Sequence, residues 1–373
     1  MFNLRDVRKG LTFGKAATTG ILQLFITLNC KEIIMLLLTN CLSKKHDEGC
    51  LKVANSLVKR LIASIENVFI VSYERDCEIS NEHIKLNKLL ISKKLFRLIK
   101  RKNDTVLYIP FPAREWATAL RVFILSLMCK KKLVVVLTML CRCNFIGRLL
   151  FKMSGATIVT FSENTKAVYE NMVGSKRVQY LKTGVDTKLF LPVSEERRAE
   201  LREKYAFSAD KQIILHVGHM KSGRNIAELM KFNMNYQVIL VESTLTVDEQ
   251  DEWLKEELQK CENIRIIDEY LPDIEEIYQL SDLYFFPVVE KGNCIDVPLS
   301  CLEAAACNKP VLTTRYGEMA TFEGKSGFWF IDRFDKDYLN QLAALALEEK
   351  DIASREQVLA YDWRYAISYF EGI

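Results

Sequence analysis

Short, continuously apolar runs recur along this chain, each separated from the next by a stretch of helical period, and this alternation restricts the fold more than any other feature. IIMLLLTN (33–40), VFIVSY (68–73), TVLYIPF (105–111), KLVVVLT (132–138) and TIVTFS (157–162) form one series. IILHVG (213–218), YQVILVE (236–242), IRIID (264–268), LYFFPV (283–288) and PVLTT (310–314) form another. Strands that are apolar throughout are buried on both faces, as in parallel sheets covered by helices, and their alternation with helical stretches is that of βαβ units. The pattern predicts an α/β chain of two doubly wound, Rossmann-like domains in series, which 373 residues accommodate. With 15 Gly and 7 Pro, the composition excludes a collagen-like rod and argues against a β-sandwich.

The domain junction is expected near Pro192, where the strand-like VQYL runs into TGVDTKLFLP and then a charged helix from Ser194 to Tyr205. This places a first domain over 32–192, a second over 193–354 and a terminal segment over 355–373. The uncharged run Ala16 to Cys30 follows Arg5, Arg8, Lys9 and Lys15, as in a signal peptide, but lacks a small-residue cleavage site. Extending it to Leu38 would bury Lys31 and Glu32 at about 2.5–3.5 kcal/mol each, so no spanning helix is expected. Residues 1–31 read as an extension before the first strand. Eleven cysteines without a CxxC pair behave as small hydrophobes in a reducing, cytoplasmic setting rather than as a disulfide framework. Cys141 and Cys143 have few histidines near them, and no metal site is expected.

A net charge of +4 conceals a division. Residues 1–192 hold 32 Lys and Arg against 14 Asp and Glu, and residues 193–373 hold 20 against 34. Opposite charges help two halves pack; a basic half also suits an anionic partner such as a membrane surface or phosphorylated acceptor. Nucleic acid is not expected, since no aromatic-rich strand accompanies the charge.

Doubly wound sheets bind ligands beyond the carboxyl ends of their strands. The loop GHMKSGRNIAEL (218–229) sets Gly218, His219, Lys221 and Arg224 ahead of an expected helix, an arrangement suited to a diphosphate, or else a solvated basic loop. In VVEKGNCIDVPLSCLEAAACNKPVL (288–312), a helix is expected to start near Asp296 and Pro298 and to end at Asn308. Glu303 falls within it among small apolar residues, as a surface glutamate or as a carboxylate accepting from vicinal hydroxyls. TGVDTKLFLP (183–192) is a glycine turn with Phe190 as the apolar anchor of a hinge.

In this order, Gly184-Val185-Asp186 with Phe190 and Pro192, the loop ending in Arg224, Ser281-Asp282-Leu283 with Pro287, and Leu302-Glu303-Ala304-Ala305 with Lys309-Pro310-Val311-Leu312 resemble the retaining GT-B glycosyltransferases of the glycogen-synthase-like group, glycosyltransferase family 4 or group 1. The resemblance spans roughly residues 177–315. Before it, VTFSENTKAVYENM (159–172) looks like the family's segment ahead of the hinge, and Trp363 in YDWRYAISYF resembles the terminal helix that crosses back onto the first domain.

The resemblance implies a metal-independent enzyme, without cofactor, that moves a sugar with retention from a nucleotide-sugar donor on the second domain to an acceptor on the first. Arg224 matches the family's diphosphate-contacting lysine and Glu303 its ribose-gripping glutamate. Gly49, in the loop after the first strand, stands on the acceptor side. Two positions depart from the pattern: His219 replaces an arginine, with Lys221 as a substitute cation, and Ile295 occupies the place of a glutamate eight residues before Glu303. Asp296 or Glu290 would replace that carboxylate, with Asp296 preferred. In that case the N–H groups around Val297 and Leu299 meet sugar or phosphate, or Asp296 caps the helix. Two other readings stand beside this one: a binding or regulatory subunit of the same fold without turnover, and, less favoured, a sugar-nucleotide epimerase of that fold.

Ile84 to Asn103 contains eight cations and no acid. On one helix, Ile91, Leu95, Leu98 and Ile99 would share a face opposite Lys93, Arg97, Lys100 and Arg101. Either this is a packed helix with a solvated side, or it lies on an anionic bilayer at the cytoplasmic face. The resemblance favours the bilayer, with a lipid-linked or cell-envelope glycan as acceptor.

Overall fold

A computed structural model of the chain describes residues 35–40, 42, 49–73, 78–87, 91–102, 105–111, 113, 115–243 and 251–373; the side chains of Arg101 and Lys102 and the extension expected over 1–31 lie outside the described residues. The first domain runs β1 (Met35–Thr39), α1 (Gly49–Ser64), β2 (Val68–Ser72), β3 (Glu82–His83), α2 (Lys93–Lys102), β4 (Thr105–Ile109), α3 (Ala117–Met128), β5 (Leu133–Leu137), α4 (Phe145–Ser154), β6 (Thr157–Thr160), α5 (Glu163–Val173) and β7 (Val178–Tyr180). Its strands form one sheet in the order β3-β2-β1-β4-β5-β6-β7, with every pair parallel.

The second domain runs α6 (Glu195–Lys204), β8 (Gln212–Gly218), β9 (Tyr236–Glu242), α7 (Glu252–Gln259), β10 (Ile264–Ile267), α8 (Ile274–Leu280), β11 (Leu283–Phe286), α9 (Leu299–Ala306), β12 (Val311–Thr313), β13 (Phe328–Phe330) and α10 (Lys336–Glu348). The helices α11 (Ser354–Val358) and α12 (Trp363–Glu371) follow. Its sheet has the order β10-β9-β8-β11-β12-β13, again parallel. Each sheet reverses direction beside its first strand, so each has a switch-point crevice at the carboxyl ends of its central strands. The two-domain α/β reading is correct.

The expected apolar runs all became strands, and β1, β4, β5, β11 and β12, apolar almost throughout, are buried at every residue. One buried cluster holds Leu95 and Ile99 of α2, Val122 and Leu125 of α3, and Phe151 of α4 against the first sheet, so these helices share one of its faces. Another cluster joins α1 on the opposite face to α9 and α12, and the first domain also meets the second at Asp296, through Thr138 after β5 and Thr165 of α5.

The hinge explains the sequence TGVD. Val185 pairs with Asp362, its N–H donating to Tyr361 O (3.2 Å) and its carbonyl accepting from Trp363 N (3.1 Å). Gly184 has φ +148°, and a Cβ there would stand 2.9 Å from both Leu299 Cδ2 and Leu302 Cδ1 of α9. Asp186 closes the turn by accepting from the N–H groups of Lys188 and Leu189 and binds Arg60 Nη2 of α1 at 2.5 Å. Phe190 is buried edge-on against Tyr278, ring centroids 5.5 Å apart, as expected of an apolar anchor.

Four local readings need correction. No α-helix follows the basic loop: Asn225 takes a left-handed conformation (φ +57°) and splits the segment into 3-10 turns at Ser222–Arg224 and Ile226–Lys231. The helix expected from Asp296 begins at Leu299, with Pro298 at its cap position, and ends at Ala306 because Asn308 is left-handed ahead of Pro310. Gly49 is the first residue of α1, not part of the preceding loop. The basic helix begins at Lys93, so Ile91 lies outside it and is exposed while Leu95 and Ile99 are buried.

Candidate functional site

Between α1 and the second sheet lies a cavity of about 300 Å3. Its floor is the carboxyl ends of β8 and β9, at Val217 and Glu242, and the loop Glu269–Pro272 after β10. Its other wall is the α1 face carrying Lys52, Lys59 and Arg60, with Trp363 beyond. A crevice at the carboxyl ends of the central strands is where a doubly wound domain receives a ligand.

Glu303 projects into this cavity from α9 and is 4% exposed, so the surface-glutamate reading is wrong. Its carboxylate takes hydrogen bonds from Lys52 Nζ at 3.0 and 3.1 Å and from Tyr278 Oη at 2.8 Å. Small residues on α9 allow the helix to approach the hinge; Leu299, one turn earlier, lies on the cavity wall and contacts the Gly184 turn. Burial of a carboxylate is costly without such partners, and Lys52 supplies the compensating charge from the first domain.

Arg224 is also buried, but is not on the cavity wall. Its Nε donates to Asn293 O at 2.8 Å. Its Nη1 lies over Gly218, 2.2 Å from where a Cβ would stand, so glycine at the end of β8 is what admits the guanidinium. His219 is kept neutral, its pKa pushed down to about 3 by burial and by the charges of Arg224 and Lys221; the replacement of arginine by histidine therefore adds no charge. Lys221 is half-buried beside it. Because the 3-10 turns spend N–H groups on local carbonyls, and Ser222 N donates to Asp251 Oδ2, no helix end is offered to an anion here.

Sequence reasoning passed over His216, two residues before Gly218. It is fully buried; Nδ1 donates to Phe285 O at 2.8 Å, and Nε2 finds no hydrogen-bond partner. Burial, against the Phe285 bond, brings its pKa down to about 4, so the bare Nε2 is a lone pair next to the Arg224 guanidinium. Lys52 and the Glu269–Pro272 loop were missed as well. The only signal for the loop was its place after a strand; Lys52 shares α1 with Lys59 and Arg60, and nothing in the sequence sets it apart from them.

Ile295 and Asp296 face the first domain. Ile295 is 5% exposed and packs on Gly49, whose Cβ would meet Ile295 Cδ1 at 3.1 Å. Asp296 N donates to Thr138 O (3.2 Å), and its carboxylate accepts from Thr165 Oγ1 at 2.5 Å. It does not cap α9, where no side chain caps. Its pKa is raised to about 6, burial outweighing the Thr165 hydrogen bond. Glu290 is exposed and accepts from Asn293 Nδ2 at 3.0 Å, away from Glu303's cavity wall. Val297 is buried against the Gly184 turn.

Among the described residues, no group of three His, Cys, Asp or Glu could hold a metal ion. Cys141 and Cys143 are free thiols, their sulfurs 3.2 Å apart. On α2, Lys93, Arg97 and Lys100 are exposed on the outer side. No helix of the described residues is long and apolar enough to cross a membrane.

Residues 211–347 match the family model described as glycosyl transferases group 1. In solved structures, the fold recurs in a glycosyltransferase from Rickettsia africae ESF-5, 16% identical over 91% of this chain and 97% of that one, with a TM-score of 0.74. The fold is GT-B. Anabaena Alr3699/HepE, crystallised with UDP, is 12% identical over 91% and 99% of the two chains (TM-score 0.72). WaaG, a glycosyltransferase involved in lipopolysaccharide biosynthesis, is 17% identical over 91% and 98% (TM-score 0.63). No curated protein matches the chain.

Proposed function

We propose that this chain is a retaining, metal-independent glycosyltransferase that moves a sugar from a nucleotide-sugar donor held by the second domain to a lipid-linked or cell-envelope glycan held by the first. The observation that carries the reading is the buried Glu303 carboxylate, turned into a cavity at the carboxyl ends of β8 and β9, in the domain that matches the group 1 model. A neighbour of the same fold was crystallised with UDP-glucose.

In this reading the nucleoside occupies the cavity above Val217 and the Glu269–Pro272 loop, and its ribose hydroxyls donate to Glu303, sharing the carboxylate with Lys52. The diphosphate extends toward Gly218, where Arg224 and Lys221 meet the charge that develops as it departs. Electrostatic stabilisation of the leaving group is the main demand of the reaction. The departing phosphate takes the acceptor's proton, so no facing pair of carboxylates is required. Asp296, on the first-domain side, and the N–H groups near Val297 and Leu299 would border the sugar. The exposed cations of α2 would lie toward an anionic membrane at the cytoplasmic face.

A second reading, a donor-binding subunit without turnover, is favoured by one observation: Ile295 stands where the family has a carboxylate and fills its space against Gly49. Release of free sugar or nucleoside diphosphate from a panel of nucleotide sugars, alongside calorimetric titration with UDP, separates the two. Turnover abolished by Glu303→Ala supports transfer. Binding without turnover supports the subunit, and neither binding nor turnover removes both.

A further inference from the structure

Cys50, Cys301 and Cys307 are buried in one apolar cluster, the ordinary place for a free thiol. Cys141 and Cys143 are placed differently. Both stand in the short loop between β5 and α4, with one residue between them and their sulfurs 3.2 Å apart. Cys141 is buried, its Sγ 3.1 Å from Glu115 O. Cys143 is half-buried and lies immediately ahead of α4, against Gly147 of its first turn, where a Cβ would stand 3.3 Å from the Cys143 Sγ. A helix N-terminus and a nearby guanidinium favour thiolate over thiol. The hydrogen bond with Cys141, and then the Arg148 charge, hold the Cys143 pKa below its usual value against partial burial, while the same bond and burial push Cys141 up. The pair therefore has an outer nucleophile and an inner thiol in contact with it. Among the described residues no third His, Cys, Asp or Glu joins them, so they do not make a metal site.

We propose that Cys141 and Cys143 are a redox-active dithiol, which small disulfides of the glutathione class convert to an intramolecular bridge, and that this bridge alters how the first domain holds Asp296. The Cys143 thiolate attacks one sulfur of glutathione disulfide, whose S–S bond breaks as a glutathione thiolate leaves. Cys141 gives its proton to that thiolate, and its sulfur attacks the Cys143 sulfur of the mixed disulfide. The second glutathione leaves as a thiolate and takes from solvent the proton that Cys143 had released. Two protein thiols are oxidised, and one glutathione disulfide is reduced to two thiols. Closing the bridge brings the sulfurs from 3.2 Å to about 2.05 Å, and the backbone they draw on is tied to its surroundings. Cys141 N donates to Tyr169 Oη of α5 at 2.9 Å. Leu140 N donates to the Asp296 carboxylate, and Thr138 O accepts from Asp296 N at 3.2 Å. Thr165, one turn before Tyr169 on α5, holds the same carboxylate. The loop that closes on oxidation is thus the loop that meets the second domain. The dithiol does not rest on the transferase reading; an effect on transfer does.

The test is peptide mapping of the full chain after incubation with glutathione disulfide and blocking of the remaining thiols with N-ethylmaleimide. Arg142 lies between the two cysteines, so trypsin separates their peptides unless a bridge joins them. The wild type is expected to give a joined pair that dithiothreitol releases. Cys141→Ala should keep glutathione on Cys143 as a lasting mixed disulfide, and Cys143→Ser should give neither product. Cys143 is expected to react at least about tenfold faster than the half-buried Cys129, Cys261 and Cys294. Hydrogen exchange at the Asp296 amide, which Thr138 O holds, should quicken about fivefold or more on oxidation of the wild type and stay unchanged in Cys143→Ser. Absence of the joined pair, or glutathione settling on Cys129, Cys261 or Cys294 ahead of Cys143, overturns the dithiol. A formed bridge with unchanged exchange at Asp296 overturns its link to the cleft. Both results are read on the wild type, so a variant that fails to fold does not blunt them. A chain that forms the bridge yet turns over no nucleotide sugar in either redox state counts against the transferase reading instead.

Discussion

The Lys52 ammonium of the first domain sits 3.0 and 3.1 Å from the two carboxylate oxygens of Glu303 in the second, a buried ion pair across the cleft. Removing one partner strands the other: in Lys52→Met, the Glu303 carboxylate keeps Tyr278 as its remaining described donor. Lys52 is 19% exposed at its side chain, so the expected cost is about 1–3 kcal/mol, read from the urea unfolding midpoint. Lys52→Met/Glu303→Gln should recover much of it, because the double change removes the stranded charge. Equal stability of Lys52→Met and the wild type would mean that the pair contributes nothing.

Gly218 and Arg224 form one unit, since the guanidinium occupies the space a side chain at 218 would need. Arg224→Ala is expected to lower turnover by about 10²-fold or more, and near-normal activity would remove it from the proposed role. Gly218→Ala should come close to the same loss while leaving the melting temperature nearly unchanged, because the atom displaced is the mobile end of an arginine. A Gly218→Ala protein with full turnover would sever the link between the two residues.

The parallel strands could be read because each is apolar almost end to end, and the burial of Glu303 because Leu302, Ala304 and Ala305 leave its helix no polar side there. β13 escaped because Phe328–Phe330 is too short to make a run. The false helix after Arg224 starts from a left-handed Asn225 and closes as 3-10 turns, which the apolar spacing of Ile226, Leu229 and Met230 does not tell from an α-helix. Lys52 was hidden for another reason: its partner lies 251 residues away, and nothing local distinguishes it from the other cations of a basic half. Ile295 stood out as a departure, yet its packing on Gly49 required the two domains to be placed together.

At the hinge, Gly184 holds φ +148° with two leucine methyls of α9 in the way of any side chain. Gly184→Ala would force Leu299 and Leu302 aside and strain the backbone together, with an expected loss of about 1–3 kcal/mol. Thermal unfolding measures it. Since both leucines flank Glu303, donor affinity should fall along with stability; a variant that melts normally and binds UDP normally would show that α9 tolerates the shift.

Asp296 supplies a pH dependence of known sign. Its pKa rises from 3.8 to about 6, with burial as the leading cause and Thr165 opposing. A raised carboxyl pKa means that between those values the folded chain holds a proton that the unfolded chain has released. By linkage, stability attributable to this group therefore falls as pH rises from about 4 to about 6 and is flat above that. Other carboxylates titrate in the same range, so the comparison is with Asp296→Asn, which accepts no proton there. Unfolding midpoints measured from pH 4 to 8 should show the amide variant gaining on the wild type through this window and keeping a constant lead beyond it. A lead that is independent of pH, or one that shrinks as pH rises, would mean that the carboxyl is ionised in the folded chain throughout and that Thr165, not burial, governs it.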